Sequence, residues 1–140
     1  MTTLLADARL GLMVSDSSIS DGDRVWIGRK VYRWRGHLIG FAGDVNEAEE
    51  FLKWFKRGGT GKPPKFTGSQ AMILSADGLC TYNVSTTPER IVRGFEAIGS
   101  GAKAAMCAYE ALGFEDPHKA VSIVCKHDAG SRAPVRTYRL

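Results

Sequence analysis

Residues 37–58, HLIGFAGDVNEAEEFLKWFKRG, change from one periodicity to another within a few positions. The first part, His37–Ala42, is the apolar run of a buried strand. Asp44 follows as a helix N-cap, with Glu47 three residues later in the arrangement of a capping box. Apolar residues then recur at helical spacing until Gly58, which ends the helix. The segment therefore predicts a strand that passes directly into a helix.

The residues before this segment predict further strands. We expect strands at 3–8 and 12–15, and an alternating strand at 29–34 that turns through Arg35-Gly36 into the strand described above. The stretch 15–23 is rich in Ser, Asp and Gly, and we expect a loop there. The first half of the chain is thus mostly strand.

The residues after the first helix predict a loop, more strands and two helices. Four Gly and two Pro within 58–68 predict the loop. A second hairpin is expected around Asp77-Gly78. The remaining expected elements are strands at 71–75, 79–84, 95–98 and 135–139 and helices at 101–112 and 116–127. This order of elements favours an α+β fold in which two sheets are sandwiched by helices.

Length and composition set the class of protein. The 140 residues suit one domain, spanning 1–140. No apolar run is long enough for a membrane span, and the N-terminus lacks the pattern of a secretory signal, so we expect a cytoplasmic protein. Cys80, Cys107 and Cys125 fit no zinc motif. The Gly-rich stretch 58–62 lacks phosphate-loop spacing, and we expect no metal and no cofactor.

The positive charge is concentrated in one segment. The net charge is +4, and five basic residues lie within 24–35 among Trp26, Tyr32 and Trp34. Such a mixture can bind single-stranded nucleic acid. We favour the alternative, a charged strand with a few buried aromatic side chains.

The second residue carries chemistry of its own. A small residue after Met1 permits removal of that methionine, which leaves Thr2 as the N-terminus. Thr2 would then hold a hydroxyl nucleophile and an α-amine with a pKa of about 8. An amine of that basicity can take the hydroxyl proton, directly or through a water molecule.

Five segments in order along the chain together resemble the proteasome β-subunit and HslV peptidase family of N-terminal-nucleophile hydrolases. They are Thr2-Thr3-Leu4-Leu5 with Val14-Ser15-Asp16, Arg29 to Arg33, Gly40 to Asp44, Ala97 to Gly101, and Asp128 to Ser131. They span nearly the whole chain. The resemblance implies a four-layer αββα sandwich and a threonine-type endopeptidase that acts on peptides or unfolded proteins.

The resemblance also implies roles for individual residues. Thr2 is the nucleophile, and Lys30 beside it disfavours the protonated amine. Asp16 fixes Lys30, and the amide of Gly43 donates to the oxyanion. The α-amine is held by Ser100, Asp128 and Ser131.

The sequence departs from the family in two places. The spacing between Thr2 and Asp16 is shorter than in the family, so Asp21 is a reserve candidate for the partner of Lys30. The loop 58–68 stands where the family has a second helix. Phe41 and Val45 are candidates for the lining of a substrate pocket.

The family forms rings and works with ATP-driven unfoldases, so the resemblance implies a homo-oligomer, with a ring as one form, and an ATP-dependent unfoldase as partner. The loss of a helix puts ring formation in question. Two other functions stay open: a catalytically inactive scaffold of the same fold, which retention of Met1 would favour, and an amidase acting on small amides.

Overall fold

A computed structural model describes residues 1–84 and 87–140. Two antiparallel sheets lie face to face, and helices cover their outer faces. The strands are β1 Leu4–Asp7, β2 Leu12–Ser15, β3 Ser18–Asp21, β4 Arg24–Ile27, β5 Val31–Trp34, β6 His37–Ala42, β7 Gln70–Ser75, β8 Gly78–Tyr82, β9 Glu89–Arg90, β10 Phe95–Ile98 and β11 Arg136–Arg139. The helices are α1 Val45–Lys56, α2 Ala102–Ala111 and α3 Pro117–His127. This is the four-layer αββα sandwich that the sequence predicts.

The two main sheets have orders β10-β1-β2-β11 and β5-β6-β7-β8-β9. Between them lies a fully apolar core that includes Leu4, Met13, Leu38 and Met72, all without exposed surface. Each such side chain stabilises the fold by about 1.5–3 kcal/mol relative to exposure. Strands β1 and β2 contribute Leu4 and Met13 to this core, which fixes where residues 1–3 lie.

Each outer layer has its own core. Helix α1 buries Phe51, Leu52 and Trp54 against the five-stranded sheet. Helices α2 and α3 pack on the other sheet through side chains that include Tyr109 and Val121. No helix occurs in residues 57–69, so the predicted loss of a second helix beside α1 is confirmed.

The expected loop at 15–23 is wrong in its second half. Strands β3 and β4 form a two-stranded hairpin, in which Asp21 pairs with Arg24 across a tight turn. Gly22 has φ +56°, a backbone conformation that hairpin turns of two residues require. Gly-Asp between Ser-Ile-Ser-Asp and Arg-Val-Trp-Ile was the signal for this hairpin, and the density of Ser and Asp concealed it.

The predicted capping box at α1 is half right. Asp44 accepts hydrogen bonds from the amides of Asn46 and Glu47, as an N-cap does. The Glu47 carboxylate does not return to Asp44; it accepts from the amide and hydroxyl of Thr67. The Asp44 amide donates instead to the Ser69 hydroxyl, at 2.9 Å. The loop after α1 thus anchors the helix start.

Candidate active site

The first sheet brings Thr2 to the edge of the sandwich. Strand β1 begins at Leu4, and Thr2 and Thr3 precede it between the ends of β2 and β10. The carbonyl of Thr2 accepts from the Gly101 amide at 3.2 Å, and the Thr2 amide donates to the Ser100 hydroxyl at 3.3 Å. Thr2 is 8% exposed. Its side chain is therefore held at the floor of a recess.

Lys30 is the centre of the polar network at this edge. Its ammonium nitrogen, Nζ, donates to Thr2 Oγ1 at 3.0 Å, to Asp16 Oδ1 at 2.8 Å and to the Met1 carbonyl at 2.9 Å. Three acceptors match the three N–H groups of an ammonium. Burial lowers the pKa of Lys30 below its usual value, and the Asp16 carboxylate opposes that shift.

Asp16 is fully buried and is surrounded by donors. Besides Lys30, it accepts from the amides of Thr3 at 2.9 Å, Ser18 at 3.0 Å and Arg132 at 3.3 Å. The short hairpin between β1 and β2 brings Asp16 next to Thr3, because the Asp16 amide donates a hydrogen bond to the Thr3 carbonyl. The shorter spacing from Thr2 to Asp16 is thus absorbed. Asp21, the reserve candidate, lies at the end of β3, and it is Asp16 that pairs with Lys30.

Ser131 and Asp128 meet the residue after Thr2. The Ser131 hydroxyl donates to Asp128 Oδ2 at 2.6 Å, so the Thr3 hydroxyl must donate to Ser131 Oγ, also at 2.6 Å. With Met1 in place, Ser100 alone of the three predicted holders bonds the Thr2 nitrogen. Sequence analysis did not single out Thr3, because its role depends on a contact with Ser131, which lies 128 positions along the chain.

Gly43 lies where β6 gives way to α1. Its φ is +125°, and a Cβ at this position would lie 2.6 Å from the Ser69 Cα. Only glycine fits such a conformation without strain. Ser69 is a second site residue that sequence analysis missed, because nothing in its local pattern distinguishes it from an ordinary residue before a strand.

Two clefts meet at Met1, Thr2 and Gly43. The larger, of about 390 Å³, runs between the β3–β4 hairpin and the start of α1, and the smaller, of about 230 Å³, runs toward Gln70 and Ser100. Phe41 and Val45 line the larger cleft, where sequence analysis expected a substrate pocket. Its other aromatic walls are Trp26 and Tyr32. The recess is open on both sides of Thr2.

Met1 covers part of this recess. Its side chain lies against Gly130, where an added Cβ would come within 2.4 Å of the methionine sulfur. Its carbonyl takes one of the three Lys30 donors. Removal of Met1 would free that donor and turn the Thr2 nitrogen into an amine.

Cys125 lies close enough to Asp16 and Lys30 for their charges to shift the pKa of its thiol. Burial, and then the negative charge of Asp16, raise the pKa of its thiol to about 11. Such a thiol is a poor nucleophile at neutral pH.

Across residues 1–84 and 87–140, no three His, Cys, Asp or Glu side chains form a group that could hold a metal ion. Among the same residues, no helix has the length and apolar character needed to cross a membrane.

Solved structures with the same fold include three proteasome-like proteins. The Trypanosoma brucei HslV structure superposes with a TM-score of 0.74 at 20% identity, covering 99% of this chain and 100% of that one. BPH of Thiobacillus denitrificans, in complex with epoxomicin, gives 0.75 at 15% identity over 99% and 98%. The Gly-1 mutant of Anbu from Hyphomicrobium sp. strain MC1 gives 0.78 at 10% identity over 100% and 81%.

No protein-family model matches the sequence, and no curated protein matches it. The structural likeness is therefore a likeness of fold. The chain shares the fold of these HslV, BPH and Anbu structures over 99–100% of its length.

Proposed function

We propose that this chain is a threonine-type peptidase that hydrolyses peptide bonds through Thr2 after removal of Met1. The observation that carries the proposal is the contact of the buried Lys30 ammonium with both Thr2 Oγ1 and Asp16 Oδ1, at 3.0 and 2.8 Å. A buried cation beside a hydroxyl stabilises the alkoxide that forms as the hydroxyl loses its proton. The fold of the neighbouring structures supports the same reaction class.

Amide hydrolysis would proceed in two steps. The Thr2 amine accepts the proton of Oγ1, directly or through water, while Oγ1 bonds to the peptide carbonyl carbon. The Gly43 amide donates to the resulting oxyanion. The C–N bond then breaks, the leaving amine takes the proton, and an ester on Thr2 remains. Water then attacks this ester while the Thr2 α-amine takes a proton from it. The carboxylic acid product is released, and the Thr2 hydroxyl is restored.

Ser100 has a distinct part in this scheme. Its hydroxyl already bonds the Thr2 nitrogen, and after removal of Met1 it would orient the amine toward Oγ1. The pair of Asp128 and Ser131 would act through the Thr3 hydroxyl. These three residues are positioning groups in the scheme, whereas Thr2, Lys30 and the Gly43 amide touch the reacting atoms.

The substrate we propose is an extended peptide or unfolded protein. The two clefts on either side of Thr2 leave room for a chain passing through the site. We further propose that the protein works as a homo-oligomer and receives substrates from an ATP-dependent unfoldase, as its resemblance to HslV implies. It needs no metal or organic cofactor for the reaction described.

Intact-mass spectrometry with epoxomicin tests the proposal. Epoxomicin is a peptide epoxyketone, and its double reaction needs a hydroxyl and a free amine on one residue. We expect a Met-free protein that gains one inhibitor mass, a Thr2→Ala variant that gains none, and a Thr3→Ala variant that still reacts. A Met-free wild-type protein that stays unmodified would overturn the proposal.

An inactive scaffold of the same fold is the second candidate. It is favoured by the way Met1 fits the site, with its carbonyl on Lys30 and its side chain on Gly130. A purified protein that retains Met1 quantitatively and does not react with epoxomicin would support this function instead.

A further inference from the structure

The β3–β4 hairpin is an exposed apolar projection. Val25, Trp26 and Ile27 are 46%, 47% and 60% exposed. In the part of the chain that the structure describes, these two strands form a sheet of their own and pair with no third strand. Three consecutive exposed apolar residues on an unpaired strand edge mark an interaction surface.

The turn of this hairpin is acidic. Asp21 and Asp23 flank Gly22, and Arg24 is the one basic residue of the hairpin. Neither carboxylate takes part in a salt bridge with any residue in 1–84 or 87–140. The hairpin therefore combines an exposed apolar segment, residues 25–27, with a negatively charged turn, residues 21–23.

A groove of opposite character lies on the outer face of the five-stranded sheet, beside α1. Two adjoining recesses of about 430 and 330 Å³ share His37, Phe55 and Tyr82 as lining. Trp34 extends this aromatic floor. Residues 57–69, which follow α1, form no helix beside this groove.

The rim of the groove is basic. Arg35 and Lys56 lie over the Trp34 ring, 5.1 and 5.2 Å from its centre, and Arg90 borders the other recess together with Asp77. None of the three cations forms a salt bridge within the described ranges. Three cations against one carboxylate leave the rim positive.

We propose that the hairpin of one copy of this chain docks in the aromatic groove of a second copy. Val25 and Ile27, which share one face of β4, would cover the apolar floor, and the Asp21–Asp23 turn would meet Arg35 and Lys56. Opposite charges placed in this way select the partner and its orientation. Since projection and groove are different surfaces, the contact is heterologous and propagates into a ring or a filament.

This contact would couple assembly to the candidate active site. Asp21 and Trp26 belong to the same hairpin and line the larger cleft beside Thr2. A docked hairpin would hold that wall in place. Assembly itself does not depend on the proposed peptidase reaction, so a Thr2→Ala protein should assemble as the wild type does.

Sedimentation velocity over a concentration series tests the contact. We expect wild type and Thr2→Ala to form oligomers and the Val25→Asp/Ile27→Asp variant to dissociate at concentrations at least about tenfold higher. Val92→Asp is the matched control, because Val92 is 92% exposed and lines neither surface. A wild-type protein that remains monomeric throughout the series, or an unchanged double variant, would overturn the proposal.

A charge exchange separates docking from misfolding. Arg35→Glu/Lys56→Glu should weaken assembly, and the further changes Asp21→Lys/Asp23→Lys should restore it. Failure of the exchange to restore any assembly counts against the proposed pairing.

Disulfide trapping distinguishes the heterologous contact from a symmetric one. In a Cys80→Ala/Cys107→Ser background, Val25→Cys and Lys56→Cys proteins are mixed and oxidised. Mixed dimers are expected. Dimers formed only between two Val25→Cys chains would show hairpin-to-hairpin pairing and refute a docked groove.

Discussion

At the residue scale, Lys30 is the side chain that links the main polar groups of the candidate site. It is 5% exposed and contacts the hydroxyl of Thr2, the carboxylate of Asp16 and the carbonyl of Met1. Nothing else in the site joins the nucleophile candidate to a charged group. An ion pair this deeply buried costs desolvation energy, so the pairing of Lys30 with Asp16 is not by itself a sign of stabilisation.

Replacing Lys30 by Met should therefore affect reactivity and stability together. We expect the rate of epoxomicin modification to fall by about 100-fold or more, because proton transfer from Thr2 Oγ1 loses its cation. The free energy of unfolding should fall by about 3–5 kcal/mol, because Asp16 is left buried without its ion partner. Mass spectrometry and urea unfolding measure the two effects.

The exposed Lys53 on α1 provides the control. Its salt bridge with Glu50 lies in solvent, and Lys53→Met should change neither quantity appreciably. A Lys30→Met protein modified at the wild-type rate would show that Thr2 reacts without help from Lys30.

The resemblance to the proteasome-like family implied most of the site candidates. In the structure Lys30 contacts both Thr2 and Asp16, and the roles of the three residues stay predictions. Thr3 and Ser69 were missed because each acts through a contact with a residue far along the chain, Thr3 with Ser131 and Ser69 with Asp44. Contacts of that kind follow from packing, which local patterns do not encode.

At the scale of elements, the junction of β6 and α1 ties the helix to the site. Asp44 caps α1 and lies next to Gly43, and both border the larger cleft. Asp116 caps α3 in the same way, through a bond from the Lys119 amide. The two caps thus differ in their distance from Thr2 but not in their local role.

Removing each cap separates stability from activity. Asp44→Ala and Asp116→Ala should each lower the free energy of unfolding by about 1 kcal/mol. We expect only Asp44→Ala to slow epoxomicin modification as well, because it loosens the turn that presents the Gly43 amide. Equal modification rates for the two variants would argue that Gly43 is held by Ser69 and its own backbone alone.

Some element boundaries could be predicted from two residues alone. A helix start was predicted at Asp116-Pro117 and a hairpin turn at Arg35-Gly36, because the backbone preferences of these pairs are intrinsic. The β3–β4 hairpin was missed, since Ser and Asp are common in loops and only pairing across the turn identifies them as strand residues.

At the scale of the whole molecule, polar clusters at both ends of β1 tie helices to the first sheet. One is the site. The other lies around Asp7, at the far end of β1, where Tyr109 from α2 donates to a carboxylate that has no exposed surface. Arg9 bonds the same carboxylate and the Phe114 carbonyl. The sequence predicted the helices and sheets that meet here but not the carboxylate that joins them.

Because of Asp7, the free energy of unfolding should fall at acid pH. Burial alone would raise its pKa, but hydrogen bonds from Arg9 and Tyr109 outweigh burial and hold the pKa below the usual 3.8. A carboxyl with a lowered folded pKa stabilises the protein above its unfolded pKa. That contribution is complete at neutral pH and is lost as the pH falls below about 4 toward the folded pKa.

Urea unfolding of wild type and Asp7→Asn from pH 7 to pH 3 isolates this contribution. The other titrating groups are common to both proteins, so the difference between their free energies of unfolding reports on Asp7 alone. We expect the difference to be largest at pH 7 and to shrink as the pH approaches 3, because the wild-type carboxyl then takes up a proton. A difference that stays constant over this range would mean that Asp7 holds its helix and sheet together through shape rather than charge.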